Sequence, residues 1–279
     1  MKFNFSHKRA LLIIGFMLCM IPQSLMAQRE KPKNLLLYDN QPYHFGFIIG
    51  YNQMSYAMRC NDGYQLVAQN SSEYPSTVDT YYTAEADYYV RSITPVPQPG
   101  FTVGVVGNLR LGKYFDLRLI PSLSFGTRTI SFQFYKTVDY PGQIIGSAYH
   151  EKKKSIFSTF VEFPLQVKYK SKRLNNVAAY VIAGANFKID LASQKKSQVD
   201  ITNAQGEQIT VTDNIRVKRT DLAAEVGAGF DFYTGYFKFG IEVKMSYGLF
   251  NILDSQNLIY DSSIKNIQNR TFQVSLTFE

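Results

Sequence analysis

The sequence of 279 residues has no tryptophan, only two cysteines and only three histidines. Cys19 falls in the N-terminal leader described below, so export leaves Cys60 alone, and a single thiol closes no intramolecular disulfide. Strand pairing and packing must then hold the fold. His7, His44 and His150 are too scattered to give metal-ligand spacing. Beyond the leader no stretch approaches eighteen continuous apolar residues, so no transmembrane helix is expected. A strong charge is also missing. The formal +8 drops to about +5 once Lys2, Lys8 and Arg9 leave with the leader. What remains lies in short clusters rather than one stripe, which gives nucleic-acid binding little support.

What the chain does have begins with that leader. Lys2, His7, Lys8 and Arg9 precede an apolar run from Ala10 to Ile21, which Pro22, Gln23 and Ser24 end. The run is short of the roughly twenty residues that cross a bilayer. Leu25-Met26-Ala27 places a small residue before the expected cut. Residues 1–27 therefore read as a signal peptide for Sec-dependent export, rather than as an anchor helix. A lipoprotein reading fails because Phe16-Met17-Leu18 before Cys19 lacks the small residue that lipidation needs. Residues 28–42 read as a short periplasmic tail and 43–279 as one domain.

Hydrophobic residues make up 45% of the chain, with 20 Tyr and 21 Phe, and their dominant pattern is alternation. Eight segments carry it. The first runs from Tyr43 to about Tyr56, with Phe45, Phe47, Ile49 and Tyr51 on one face. The third has Phe115, Leu117, Leu119, Leu123 and Phe125, and its pattern is open to continuation as far as Phe134. The fourth is the cleanest, with Phe157, Val161, Phe163, Leu165, Val167 and Tyr169. The last ends on Phe272, Val274, Leu276 and Phe278. Most exceed a soluble strand of five or six residues and suit a tilted membrane strand of roughly nine to eleven. Short turns at 112–114, 170–176 and 234–236 alternate with long polar stretches at about 59–98, 137–154, 193–219 and 251–268. Tight periplasmic turns and long extracellular loops are the plan of an outer-membrane barrel. The expected fold is all-β, an eight-stranded antiparallel transmembrane barrel. Thr202 to Thr212 suggests an extra hairpin above the membrane.

The face opposite the apolar one decides what fills the barrel. It carries Arg110, Arg118, Arg128, Glu162, Lys168, Glu225, Asp231, Lys238, Glu242 and Lys244, interleaved with glycines. A soluble, lipocalin-like barrel also alternates, with its apolar face inward. Small residues among these charges suit a crowded interior better than a solvated exterior. A lipid-facing charge at midplane costs about 2–4 kcal/mol, and an eight-stranded lumen is just wide enough for side chains. The expectation is a lumen plugged by ion pairs among Arg110, Arg118, Glu162, Lys168, Glu225, Asp231, Lys238, Glu242 and Lys244. Tyr43, Tyr114, Tyr169 and Tyr236 suit interfacial girdles.

Nothing points firmly to catalysis. Ser147, His150 and Glu151 share one loop, where a neutral imidazole can activate a hydroxyl. Such proximity is common by chance, and a solvated loop is the simpler reading. Gly227-Ala228-Gly229 lies inside a strand, which argues for barrel packing and against a nucleotide fingerprint. Lys152, Lys153 and Lys154 read more simply as solvated than as lipopolysaccharide ligands. Lys170, Lys172 and Arg173 form a basic turn open to a partner contact. No catalytic residue, cofactor or metal is expected. Outer-membrane lipid and lipopolysaccharide are the expected surroundings.

Several blocks resemble the PorT family of outer-membrane barrels from the type IX secretion and gliding-motility machinery of Bacteroidota. They are Tyr-His-Phe-Gly-Phe at 43–47, Gly50 to Met54, Pro99-Gly100-Phe101, Leu109 to Phe125 and Arg128-Thr129. The block Phe160-Val161-Glu162-Phe163-Pro164-Leu165-Gln166-Val167-Lys168-Tyr169 is shared more broadly, and Lys170 to Asn176, Gly184 to Lys188, Asp190 to Ser193, Gly229 to Tyr233 and Tyr236 to Phe239 narrow it. The resemblance covers strands and short turns, with little in the long loops. It implies a non-enzymatic barrel needed for secretion of proteins with a C-terminal export domain, with other secretion subunits as partners. It brings no catalytic residues. A generic structural or adhesive barrel working through its loops is the alternative, and an enzyme comes third.

Overall fold

The computed structural model describes residues 32–66, 68–69, 88–136, 139–140, 143–144, 148–192, 198–202, 208–212, 215–254 and 263–279. The expected signal peptide and its cut after Ala27 lie outside them. Eight long strands dominate: β1 Tyr43–Cys60, β2 Gln98–Arg110, β3 in the two pieces Phe115–Leu119 and Ser122–Lys136, β4 Ala148–Lys170, β5 Val177–Asp190, β6 Thr220–Tyr233, β7 Lys238–Gly248 and β8 Ile264–Phe278. Each pairs antiparallel with the next. The ring closes because β1 pairs with β2 on one side and with β8 on the other. Closure satisfies both edges of every barrel strand, which a lipid solvent requires.

The strands form because their side chains obey period two, and burial follows the same period. In β7 it alternates without a break along the whole strand. Arg118, Lys168 and Glu242 are 0% exposed, whereas Val226 and Phe230 on the other face are 62% and 53% exposed. A soluble barrel would reverse this, since water leaves few large apolar patches uncovered. At the closing seam Phe278 stacks on Phe47 with centroids 4.9 Å apart, and Phe239 lies 5.3 Å away on its other side. These three rings join the first strand to the last two. The exposed tyrosines Tyr43, Tyr114, Tyr169 and Tyr236 all stand at the short-turn end, so they ring one rim rather than two.

Two prolines interrupt the ladder without shifting it. Ile120 and Pro121 separate the pieces of β3, yet the register with β4 continues from Leu119↔Leu165 to Ser122↔Glu162. The Pro121 carbonyl accepts from Val105 N at 3.0 Å and the Pro164 carbonyl from Ile120 N at 3.1 Å. Each proline therefore keeps the bond its oxygen accepts and forfeits only the one its nitrogen would donate.

The long-loop end departs from the sequence reading. Four stretches expected to be loops contain strand. Residues 148–154 belong to β4, whose 23 residues run for about 75 Å at about 3.3 Å per residue. The Lys152-Lys153-Lys154 run is thus on a strand, with Lys154 buried, not in a solvated loop. Tyr88–Val96 continues β2 across Pro97 and pairs with the upper part of β3. The extra hairpin joins Gln198–Thr202 to Gln208–Thr212 and so starts earlier than Thr202. Above the polar lumen these extensions enclose an apolar cluster that includes Tyr56, Val90, Phe132, Phe134, Ile215, Ile252 and Ile264. The sequence hid it because Val90, Ile215, Ile252 and Ile264 come from stretches that read as polar loops and meet Tyr56, Phe132 and Phe134 only in the folded chain. No helix among the described residues is long and apolar enough to cross a membrane.

Candidate functional site: a charge-filled lumen and its plug

The inward row of each strand is polar at barrel level, and the ring turns these rows toward one another. In the middle, Arg118 of β3 meets Glu242 of β7 at 2.7 Å, and the Tyr180 hydroxyl of β5 donates to the same carboxylate at 3.0 Å. Lys168 of β4 reaches Asp231 of β6 at 2.7 Å and lies 3.6 Å from the centre of the Tyr180 ring. Glu225 gathers Gln166 at 2.7 Å, Asn186 at 2.8 Å and Lys244 at 3.5 Å. Glu162 faces Lys188 at 3.5 Å and accepts from Asn186 at 3.0 Å. Paired burial of this kind avoids the much larger cost of a lone buried charge.

A second layer sits toward the long-loop end. Arg128 pairs with Asp190 at 2.6 Å, donates to Ser158 at 2.9 Å, and lies 4.9 Å from the Tyr56 ring and 4.8 Å from the Phe160 ring. Tyr56 also belongs to the apolar cluster above. Arg128 is therefore where the polar lumen meets its apolar cap.

Room for these groups comes from missing side chains. A Cβ on Gly229 would stand 2.6 Å from the Tyr180 ring and 2.4 Å from the Ile241 carbonyl, so only glycine lets Tyr180 reach Glu242. At Gly126 the nearest atom is the Met54 sulfur, 2.8 Å away, toward the end of a flexible side chain rather than on the backbone.

The short-turn end is closed by the chain's own N-terminal segment. Residues 38–40 form one 3-10 turn tucked against the mouth. Tyr38 stacks on His44 with ring centres 3.8 Å apart, its carbonyl lies 2.8 Å from His44 Nε2, and its hydroxyl donates to Glu279 at 3.2 Å. Burial pushes the Tyr38 phenol well above its ordinary pKa, against the pull of Lys238. Asp39 accepts from the Tyr233 hydroxyl at 2.9 Å and faces Arg173 at 3.5 Å. Asn34 bonds Asn176 at 2.8 Å and the Tyr233 carbonyl at 3.1 Å, and Arg173 also donates to the Asn34 carbonyl. Leu35 adopts φ 49° where the segment folds back, a left-handed conformation that costs a non-glycine residue about 1–3 kcal/mol unless contacts hold it. Below Tyr38, Lys238 binds Glu279 at 2.7 Å.

Of the nine charges expected in the lumen, Arg118, Glu162, Lys168, Glu225, Asp231, Lys238, Glu242 and Lys244 are placed within these pairs. Arg110 is placed apart. It ends β2 half-buried, and its Nε donates to the Gly112 carbonyl in the turn at 3.1 Å. Sequence reading passed over Asp116, Lys188, Asp190 and Glu279, although inward parity along β3, β5 and β8 marks all four. Nothing in the sequence marked Tyr38 or Asn34. The basic turn read as open to a partner contact has Arg173 engaged by the N-terminal segment and Lys170 bound to Asp116 at 2.8 Å. Of the weak catalytic set, Ser147 lies outside the described residues. His150 and Glu151 are adjacent positions of β4, and the Glu151 carboxylate accepts from Ser131 at 2.7 Å. No cluster of three metal-binding side chains occurs among the described residues.

No protein of curated function matches the sequence. Among solved structures, Neisserial surface protein A is similar at 9% identity and a TM-score of 0.36, covering 85% of this chain and 98% of its own. The attachment invasion locus protein Ail of Yersinia pestis gives 12% identity and a TM-score of 0.32 over 85% and 98%. The outer membrane protease OmpT of Escherichia coli gives 9% and 0.33 over 85% and 94%. The chain belongs to the outer membrane protein beta-barrel domain family, which matches residues 27–254.

Proposed function

We propose that this outer-membrane barrel is a non-enzymatic component or assembly factor of the type IX secretion apparatus, and not its conduit. The observation that carries the negative half is the lumen. Ion pairs fill it, an apolar cluster caps one end and residues 34–40 close the other. A polypeptide has no path through such an interior. The positive half rests on the strand and turn blocks that resemble those of the PorT family. On this reading residues 1–27 are removed on export, the short turns face the periplasm, and contacts with other secretion subunits form around the barrel. Deleting the gene leaves proteins with a C-terminal export domain in the periplasm, which fractionation and immunoblotting measure. Normal secretion by the deletion strain overturns this assignment.

The long-loop end favours a second reading, a structural or adhesive barrel. Its strands rise far above the roughly 25 Å apolar band of such barrels, as the 23 residues of β4 illustrate. Removing residues 193–219 separates the two readings. Adhesion is lost and secretion kept if the loops carry the function.

A further inference from the structure

The lipid-facing wall is not smooth. A groove of about 600 Å³ opens on it between Tyr169 of β4 and Phe230 of β6. Its origin is visible in the register. Along one outward row Tyr169 stands beside Val181, Val181 beside Ala228, and Ala228 beside Val243. In the next row Ala179 stands beside Phe230. Ala179 and Ala228 are thus small outward residues set among the larger Tyr169, Val181, Phe230 and Val243. The depression between the flanking rings is the result.

The groove lies toward the short-turn end, because Tyr169 and Ala179 border the turn between β4 and β5. That end is periplasmic in barrels of this kind, so the groove belongs to the periplasmic leaflet. At about 30 Å³ per water-sized group, it accepts on the order of 20 methylene-sized groups. An acyl chain lying there touches protein on three sides instead of one, and each added contact contributes dispersion. At the groove's turn end stands Ser171, one of its lining residues, and the next residue is the exposed Lys172. The neighbouring cations are engaged, Lys170 with Asp116 and Arg173 with Asp39. Lys172 has no ion pair among the described residues. Apolar space for a chain and an uncommitted cation at its membrane surface are the two parts of a phospholipid site.

We propose that the groove seats one acyl chain of a periplasmic-leaflet phospholipid, with its phosphate at Lys172. The site makes β4 to β7 a wall with a resident lipid. It rests on the lipid-facing wall alone and is independent of the secretion assignment. The test is photolabelling of the full-length barrel in phosphatidylethanolamine vesicles that contain a diazirine-bearing acyl chain. Labels are expected to concentrate on residues 169–181 and 226–243. Ala179→Leu and Ala228→Leu fill the groove from outside and should cut labelling roughly tenfold, equivalent to about 1.4 kcal/mol. Lys172→Glu should lower it as well. Heat-modifiable migration on a gel shows that each variant still folds. Labels spread evenly around the barrel, labelling unchanged by Ala228→Leu, or cross-links to a second copy at these residues each overturn the proposal. Loss in the alanine variants with none in Lys172→Glu overturns the placement of the phosphate.

Discussion

Arg118 and Glu242 are 124 residues apart in the chain, yet their side chains meet at 2.7 Å across the centre of the barrel. Neither is exposed, and β3 and β7 are not neighbours in the sheet. The contact spans the lumen instead of following the sheet. It exists only because the ring is closed, and it fixes the distance between opposite walls.

Glu242→Ala leaves the Arg118 guanidinium buried without its partner. Breaking one side of a buried pair costs about 3–5 kcal/mol, so the temperature at which the folded gel band converts to the unfolded one should fall sharply. Replacing both residues with Arg118→Met and Glu242→Leu should recover much of the loss. A double variant no better than Glu242→Ala argues against direct coupling.

Gly229→Ala and Gly126→Ala should differ in severity. At Gly229 the new methyl meets the Tyr180 ring and a backbone carbonyl, so overpacking of about 1–3 kcal/mol is expected. At Gly126 the obstacle is the flexible Met54 side chain, and the loss should be smaller. Refolding yield into lipid vesicles measures both.

The N-terminal plug should resist protease while Arg173 holds it. Arg173→Ala removes its ion pair to Asp39 and its bond to the Asn34 carbonyl. Cleavage within residues 33–42 should then speed up several-fold, with the barrel band unchanged. Equal cleavage rates would show that the contacts of Asn34, Tyr38 and Asp39 with the barrel hold the segment without Arg173.

Wall and lumen should respond in opposite ways to charge. Val243→Lys puts an ammonium on the lipid face at an expected cost of about 2–4 kcal/mol near midplane. One residue on, Lys244 already carries that charge inward beside Glu225. In planar bilayers the wild type should show no steady channel conductance, because buried ion pairs occupy the lumen. A stable open-pore current would contradict the closed interior.

The sequence by itself determined which side of each strand meets lipid. Side chains alternate strictly along an extended backbone, so Phe157 to Tyr169 and Phe237 to Tyr247 could be assigned outward from parity alone. Parity also marked Arg118, Lys168, Asp231 and Glu242 as inward. It could not pair them, since partners such as Lys168 and Asp231 lie on strands that are not neighbours. Their meeting depends on the register and tilt of the whole ring. Arg110 shows the limit clearly. It has the parity of a lumen residue, but it stands at a strand end where the turn carbonyl is nearer than any acid. The plug and the upper apolar cluster were beyond local pattern for the same reason. Val90, Ile215 and Ile252 sit in segments with no period of their own and become core only when strands distant in sequence bring them together, and Tyr38 finds His44 and Glu279 only at the mouth of the closed ring.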